Sequence, residues 1–310
     1  MNKLKILQEQ FKRGELSKHE FINEALLVHQ FLFDYVEIIK NIEVTKILIS
    51  AQGISFFLED DIQLVVPPNE SRTAPIEIMN FGSYERNETK IIDILLVGSR
   101  HILDIGANIG WYSVRFARQE PNAKIYCFEP VPLTYEFLCR NVNLNNVGAQ
   151  VLCYNYGLSN TNGSCEFFIA PTNCVNASLL NVANADNAQA MIGLTLTLDQ
   201  WKINHKVKPD FIKCDVEGAE LLVFQGGYET LANDKPIVFT ELLRKWTKPF
   251  NYHPNDVLAY FRELNYCCYA IGPESTNLIE KVTEETLETN YVFLHSANHS
   301  HLIDVLNKIK

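Results

Sequence analysis

The sequence predicts an α/β protein with a mainly parallel sheet, preceded by a small α+β extension. From about residue 100 onward, short apolar runs alternate with helical patterns, which is the order of βαβ units. The first of these runs ends in a glycine turn, Gly106 to Gly110, that opens into a helix. Before residue 95, by contrast, short runs rich in Ile, Val and Phe are separated by Gly53 and stopped by Pro67 and Pro68.

Taken in order, residues 14 to 40 read as a helix. Ser17 followed by Glu20 fits a capping box, and Phe21, Leu26, Leu27, Phe31, Leu32, Tyr35 and Ile38 recur at helical spacing. Such a stripe suits a core or an oligomer face. Segments 45 to 50, 54 to 58 and 62 to 66 read as short strands, and residues 88 to 97 as a helix. Strand candidates follow at 101 to 105, 124 to 128, 150 to 154, 210 to 214 and 236 to 240. The runs 266 to 271 and 291 to 295 lie either side of a polar stretch and would close the sheet as a hairpin. The expected division is an extension over 1 to 95, serving as lid or oligomerisation element, and a catalytic domain over 96 to 310.

Composition narrows the function. The 310 residues are 47% hydrophobic and 21% charged, without a low-complexity tract, which excludes a disordered chain. A net charge of -10 with no basic cluster argues against a nucleic-acid binder. No apolar run is long enough to span a membrane, and MNKLKILQEQFKRGE has no signal-peptide core, so a cytoplasmic protein is expected. The eight cysteines, at 127, 139, 153, 165, 174, 214, 267 and 268, show no CxxC or metal-ligand spacing and read mostly as small buried apolar residues. The sequon Asn176 to Ser178 carries no weight without an export signal.

Three segments carry chemistry. In the first, Asp104-Ile-Gly106-Ala-Asn108-Ile-Gly110, the glycines let a ligand approach the backbone and the following helix offers free N–H groups. A dinucleotide fingerprint would need Gly at 106, 108 and 111, but Asn108 and Trp111 stand there, which argues against NAD. Asn108 tolerates the left-handed conformation, so the loop suits another adenosyl ligand. In the second, Glu129 ends a strand roughly 20 residues on, where an acid can take both ribose hydroxyls.

The third segment, Lys213-Cys-Asp215-Val-Glu217-Gly-Ala-Glu220, delivers carboxylates to the C-terminal edge of a strand, where ligands bind in open α/β sheets. Glu220 equally suits the N-terminus of the next helix. Glu241 ends the neighbouring strand, and Arg244, Lys245, Trp246, Tyr252 and His253 follow. Asp215 and Glu241 could hold a divalent cation, or Asp215, Glu241 or His253 could act as general base; Lys213 is a weaker candidate. The spacing does not choose between these.

HILDIGANIGWYS, CFEPVPLTYEFLCRNVNLNN and FIKCDVEGAELLVFQGG, in this order, resemble the cofactor loop, the ribose-binding strand and the most distinctive segment of the FkbM methyltransferases. NYGLSNTNGSCEFF, TLTLDQW and NYVFLH extend the similarity over about residues 100 to 295. The resemblance implies a Rossmann-like class I fold, a seven-stranded sheet with an antiparallel C-terminal strand. It also implies S-adenosylmethionine as donor and O-methylation of a sugar, nucleotide-sugar or secondary metabolite. On it, Asp104, Gly106, Asn108 and Gly110 line the methionine and ribose, Glu129 binds the ribose, and Asn155 and Gly157 approach the adenine. Asp215 stands where catechol-type O-methyltransferases place a metal-binding Asp, with Glu241 beside it, which admits Mg2+. Trp246 and Tyr252 would stack on a sugar ring, and Arg244 and Lys245 would contact a phosphate. Phe81, Tyr84 and Glu85 are placed to fold over the site as a lid, and the extension alternatively builds a homodimer. An N-methyltransferase or protein methyltransferase on the same fold and a non-catalytic adenosyl-binding scaffold are the rival readings.

Overall fold

The Ser17 capping box forms as its spacing predicts, with Ser17 N–H donating to Glu20 Oε2 (2.8 Å) and Glu20 N–H to Ser17 Oγ (3.3 Å). It starts helix α2 (Lys18–Ile38), so the helix expected from residue 14 begins four residues later. A separate helix, α1 (Lys3–Lys12), precedes it; Gly14, at φ +73°, supplies the left-handed turn between them. The structure, a computed structural model, describes residues 3–68, 70–170, 173–181 and 188–309, with residues 170 and 173–177 described by backbone alone. The side chains of Cys174 and Asn176 thus fall outside the described residues. Of the other cysteines, Cys127, Cys214 and Cys268 are buried and the remaining four partly so, all as free thiols.

The extension continues as an antiparallel sheet of β1 (Val44–Ser50), β2 (Gly53–Leu58) and β3 (Gln63–Val66), then α3 (Ala74–Phe81) and α4 (Arg86–Leu95). The α/β body follows: β4 (His101–Ile105), α5 (Trp111–Gln119), β5 (Lys124–Phe128), α6 (Pro132–Leu144) and β6 (Val151–Tyr154). Next comes a second sheet that periodicity did not reveal, built from β7 (Gly157–Leu158), β8 (Gly163–Ala170), β9 (Asn173–Ser178) and β10 (Gln189–Leu196) in the order β7-β10-β8-β9. The body resumes with α7 (Leu198–His205), β11 (Phe211–Cys214), α8 (Glu220–Gln225), α9 (Tyr228–Asp234) and β12 (Ile237–Glu241). It closes with α10 (Arg244–Thr247), α11 (Pro254–Glu263), β13 (Tyr266–Ile271), β14 (Thr276–Ile279), β15 (Asn290–His295) and α12 (Ser300–Leu306).

The main sheet runs β14-β13-β15-β12-β11-β4-β5-β6, with β12 through β6 parallel and β15 antiparallel between β12 and β13. This is the expected Rossmann-like sheet with its antiparallel closing strand. It has eight strands rather than seven because β14 adds an edge; hydrogen-bonded on one side and with Leu278 58% exposed, β14 lacks a buried face to mark it in sequence. Strand β11, at the centre, is buried along its whole length.

One face of this sheet packs Val114 and Phe116 of α5 in the same buried cluster as Phe56, Leu64 and Ile78 of the extension. The other packs Trp201 of α7, Phe224 of α8 and Phe261 of α11. Residues 44 to 95 therefore share the main core. Two buried asparagines, Asn141 of α6 and Asn145 just after it, complete the join by serving the free edge of β3. Val65 N–H donates to Asn141 Oδ1 (2.8 Å), Gln63 N–H donates to Asn145 Oδ1 (2.9 Å), and Asn145 Nδ2 donates to Gln63 O (2.7 Å). Asn141 Nδ2 also donates to Ile109 O (2.7 Å), tying the extension to the glycine loop. Asn141→Ala leaves two buried backbone groups unpaired. It should cost about 1–3 kcal/mol, read as a lower urea midpoint at unchanged slope; an unchanged midpoint would show that these bonds add nothing net.

Candidate active site

The glycine loop after β4 passes so close to the end of β11 that a Cβ on Gly106 would overlap the Asp215 carbonyl oxygen. Gly106 (φ +80°), Asn108 (φ +51°) and Gly110 (φ +87°) are all left-handed. At Gly110 the constraint is helix packing, since a Cβ would lie 2.6 Å from Leu138 Cδ1 on α6. The loop is pinned to the next strand end: Asn108 N–H donates to Glu129 Oε2 (3.0 Å), and Val131 N–H to Glu129 Oε1 (2.9 Å). Burial pushes the Glu129 carboxyl up to about 7 against the pull of these two N–H groups.

Loop and strand ends open into a cleft of about 930 Å³. Gly106, Asn108, Glu129, Gly157, Lys213, Asp215 and Glu217 line it. The second sheet contributes Phe167 and Ser178, whose Oγ donates to Glu217 O (2.8 Å). The extension contributes Arg72 and Tyr84, while Phe81 stays 75% exposed. Three expected ligand contacts stand behind the lining. Asp104 is fully buried and accepts from Ser113 Oγ (2.6 Å); Gly110 packs α5 on α6; Asn155 Nδ2 donates to Glu129 O (2.9 Å) and holds the turn.

The other end of the cleft is a charge cluster. Lys213, 4% exposed, lies 3.2 Å from Asp215 Oδ2, with its ammonium 4.9 Å from the centre of the Tyr112 ring. Burial would lower its pKa, but Asp215, Asp104 and Glu85 outweigh this and hold the ammonium above its ordinary range. Glu85, with φ +45°, is half-buried and accepts a hydrogen bond from the Tyr112 hydroxyl. Glu217, with φ +55°, carries a buried Oε2 without a hydrogen-bond partner; burial and then Asp215 and Glu241 push its carboxyl well up. Glu241 is pushed up to about 8, first by burial and then by Asp215.

The segment after β12 turns away from the cleft. Arg244 donates to Thr283 O (2.6 Å) and Thr286 O (3.3 Å), clamping a distant turn rather than a phosphate. Lys245 is exposed with its ammonium 4.9 Å from the Trp246 ring, and the Trp246 carbonyl packs against Gly218. Tyr252 Oη lies 2.8 Å from Gly218 O and 3.1 Å from Glu220 Oε2, bracing the 216–220 turn. His253 caps α11: its Nδ1 accepts from Asn255 N–H (3.1 Å) and its N–H donates to Asp256 Oδ2 (2.7 Å), which occupies it as a helix cap and not as a base. None of these five lines the cleft. Glu220 closes its own turn by accepting from Val216 and Gly218 N–H (3.1 Å each). The donor set does not fit Mg2+ either: Lys213 already sits on Asp215, and among the described residues no three His, Cys, Asp or Glu side chains converge. Of the groups that sequence reasoning passed over, Arg72 belongs to no motif, and Tyr112 lies inside HILDIGANIGWYS without a pattern to mark its side chain.

Residues 104–268, over half of the chain, match the family described as the methyltransferase FkbM domain. The chain belongs to the FkbM family of methyltransferases. Among similar proteins, methyltransferase sdnD of Sordaria araneosa is 32% identical over 153 residues, covering 40% of this chain and 59% of that one. Hexuronic acid methyltransferase AglP of Haloferax volcanii is 28% identical over 145 residues, 46% of this chain and 56% of that one. For 2-O-methyltransferase NoeI of Sinorhizobium fredii the figures are 29% over 170 residues, 49% and 67%. The matches thus span a little over half to two thirds of these relatives' lengths. Arg72 and Tyr84 lie ahead of the FkbM segment, so the extension adds its own wall to the cleft.

Glu129 and Glu220, both raised to about 7, and Glu241, raised to about 8, hold protons in the folded state that the unfolded chain releases above the ordinary value of 4.5. The stability they contribute is complete below the unfolded pKa and is lost as pH rises through the folded values. The urea midpoint should therefore fall as pH rises from about 4.5 to about 8, and Glu241→Gln should flatten the upper part of the fall. A midpoint that rises with pH would contradict this assignment.

Proposed function

We propose that this protein transfers a methyl group from S-adenosylmethionine to a hydroxyl of a saccharide acceptor. The observation that carries the choice of hydroxyl is the acid-rich end of the cleft, where Asp215 and Glu217 stand beside Lys213, with Glu241 behind them. An amine must lose its proton before it can attack, and the Asp215 carboxylate stabilises the ammonium form, so this surrounding works against N-methylation. A hydroxyl benefits from the same groups, because a carboxylate within reach accepts its proton as the oxygen attacks. Two relatives bear names that specify a hexuronic acid and a 2-O position, which supports a saccharide.

The residues of the cleft fit the donor. Glu129 keeps lone pairs on both oxygens for ribose hydroxyls, and Leu158 and Phe167 beside Gly157 offer an apolar wall to a flat base. When bound, S-adenosylmethionine supplies an electrophilic methyl group on a sulfonium. Asp215 takes the acceptor's proton on a carboxylate oxygen, and the Lys213 ammonium stabilises the negative charge that develops on the acceptor oxygen. Tyr84, Tyr112 and Trp111 exclude water from that end.

Calorimetric titration with S-adenosylhomocysteine should show micromolar binding, weakened about tenfold or more in Glu129→Ala, with no heat from NADH; absence of binding would remove the basis of this reading. Asp215→Asn should lower the rate of methyl transfer to a panel of glycosides by about 10²–10⁴-fold while S-adenosylhomocysteine affinity changes by less than about threefold. Methylation of amines in preference to hydroxylated acceptors would overturn the choice of hydroxyl.

A further inference from the structure

The helical hairpin of α1 and α2 leaves most of its apolar surface uncovered. The two helices pack on each other, with the rings of Phe11 and Phe21 stacked at 4.9 Å, but of the 21 residues of α2 only Ala25 is buried. Ile22, Leu26, Leu27, Phe31, Leu32 and Phe33 are each 50–67% exposed, and Tyr35, Val36 and Ile38 exceed 40%. At about 100° per residue these side chains form two stripes, one through Ile22, Leu26 and Phe33 and one through Leu27, Phe31 and Ile38, roughly 140° apart. A helix apolar on several sides belongs inside a packed assembly, not on a surface.

We propose that this hairpin is the interface of a symmetric homodimer, in which the hairpins of two copies form a four-helix bundle. In such a bundle α2 faces its own α1 on one side and the hairpin of the other copy over its exposed apolar surface. The area agrees. Nine half-exposed large side chains at roughly 100 Å² each present about 900 Å², above the largest apolar patch of an ordinary monomer and close to the ~800 Å² that one partner contributes to a stable interface.

Charge also selects a second copy over a lipid surface. Residues 3–38 hold five basic and six acidic side chains, so two hairpins can approach without the repulsion that the chain's net -10 creates elsewhere. Helices that lie on anionic membranes carry a cationic face, and this hairpin has no cationic excess. Among the described residues no helix is long and apolar enough to cross a membrane. The proposal is independent of the reaction assigned above.

Size-exclusion chromatography with light scattering at about 50 μM should give twice the 35.5 kDa chain mass. Leu27→Asp/Phe31→Asp and, on the other stripe, Ile22→Asp/Phe33→Asp should each give the monomer mass with native far-UV dichroism, while Phe31→Leu should remain dimeric. A monomeric wild type, or Asp variants that stay dimeric, overturns the proposal. So does a monomer that co-sediments with vesicles of phosphatidylcholine and phosphatidylglycerol, which would identify the surface as a lipid contact.

Discussion

A single buried ammonium organises the working end of this protein. Lys213 sits on the central strand β11, in register with Asp104 on β4 and two residues before Asp215. A charge taken out of water must be matched at close range, and the match here comes from three directions: Asp104 from the neighbouring strand, Asp215 from its own strand end, and Glu85 from the extension. Tyr112 joins two of these, presenting its ring to the ammonium and its hydroxyl to Glu85. Charge balance around Lys213 therefore couples the main sheet, α5 and the extension in one arrangement.

The coupling explains why the extension cannot be regarded as an appendage. Its strands and α3 share the main core, its β3 edge is hydrogen-bonded to Asn141 and Asn145, and its Arg72 and Tyr84 form part of the cleft wall. Asn141 links the same element to the glycine loop, so the loop's position and the extension's position are set together. The second sheet closes the remaining side, with Ser178 holding the Glu217 carbonyl. Glu217 and Glu85 both adopt left-handed backbone conformations at the cleft, a strain that the surrounding packing sustains.

Much of this was legible in the residues. The Ser17–Glu20 box, the alternation after residue 100, the glycine turn, and the carboxylates at the ends of β5 and β11 all follow from local spacing. Glu129 and Asp215 line the cleft as their strand-end positions suggest. The second sheet was not legible because β8 and β10 expose much of their surface and lack the continuous apolar runs of a buried strand. Arg244, Lys245, Trp246, Tyr252 and His253 followed a strand end as ligand-binding residues do, yet the turns they enter are held by Thr283, Thr286, Gly218 and Asn255 instead.

By itself the sequence determined the α/β class, the family and the strand ends that carry acids, because periodicity, glycine placement and motif spacing are properties of short stretches of chain. Tertiary structure alone decided that Lys213 occupies the place considered for a metal and draws on the charge of Glu85, that Arg72 reaches the cleft, and that His253 is a cap. Each depends on which distant groups must be brought together to satisfy a buried charge or an unpaired backbone group, and no local pattern encodes that.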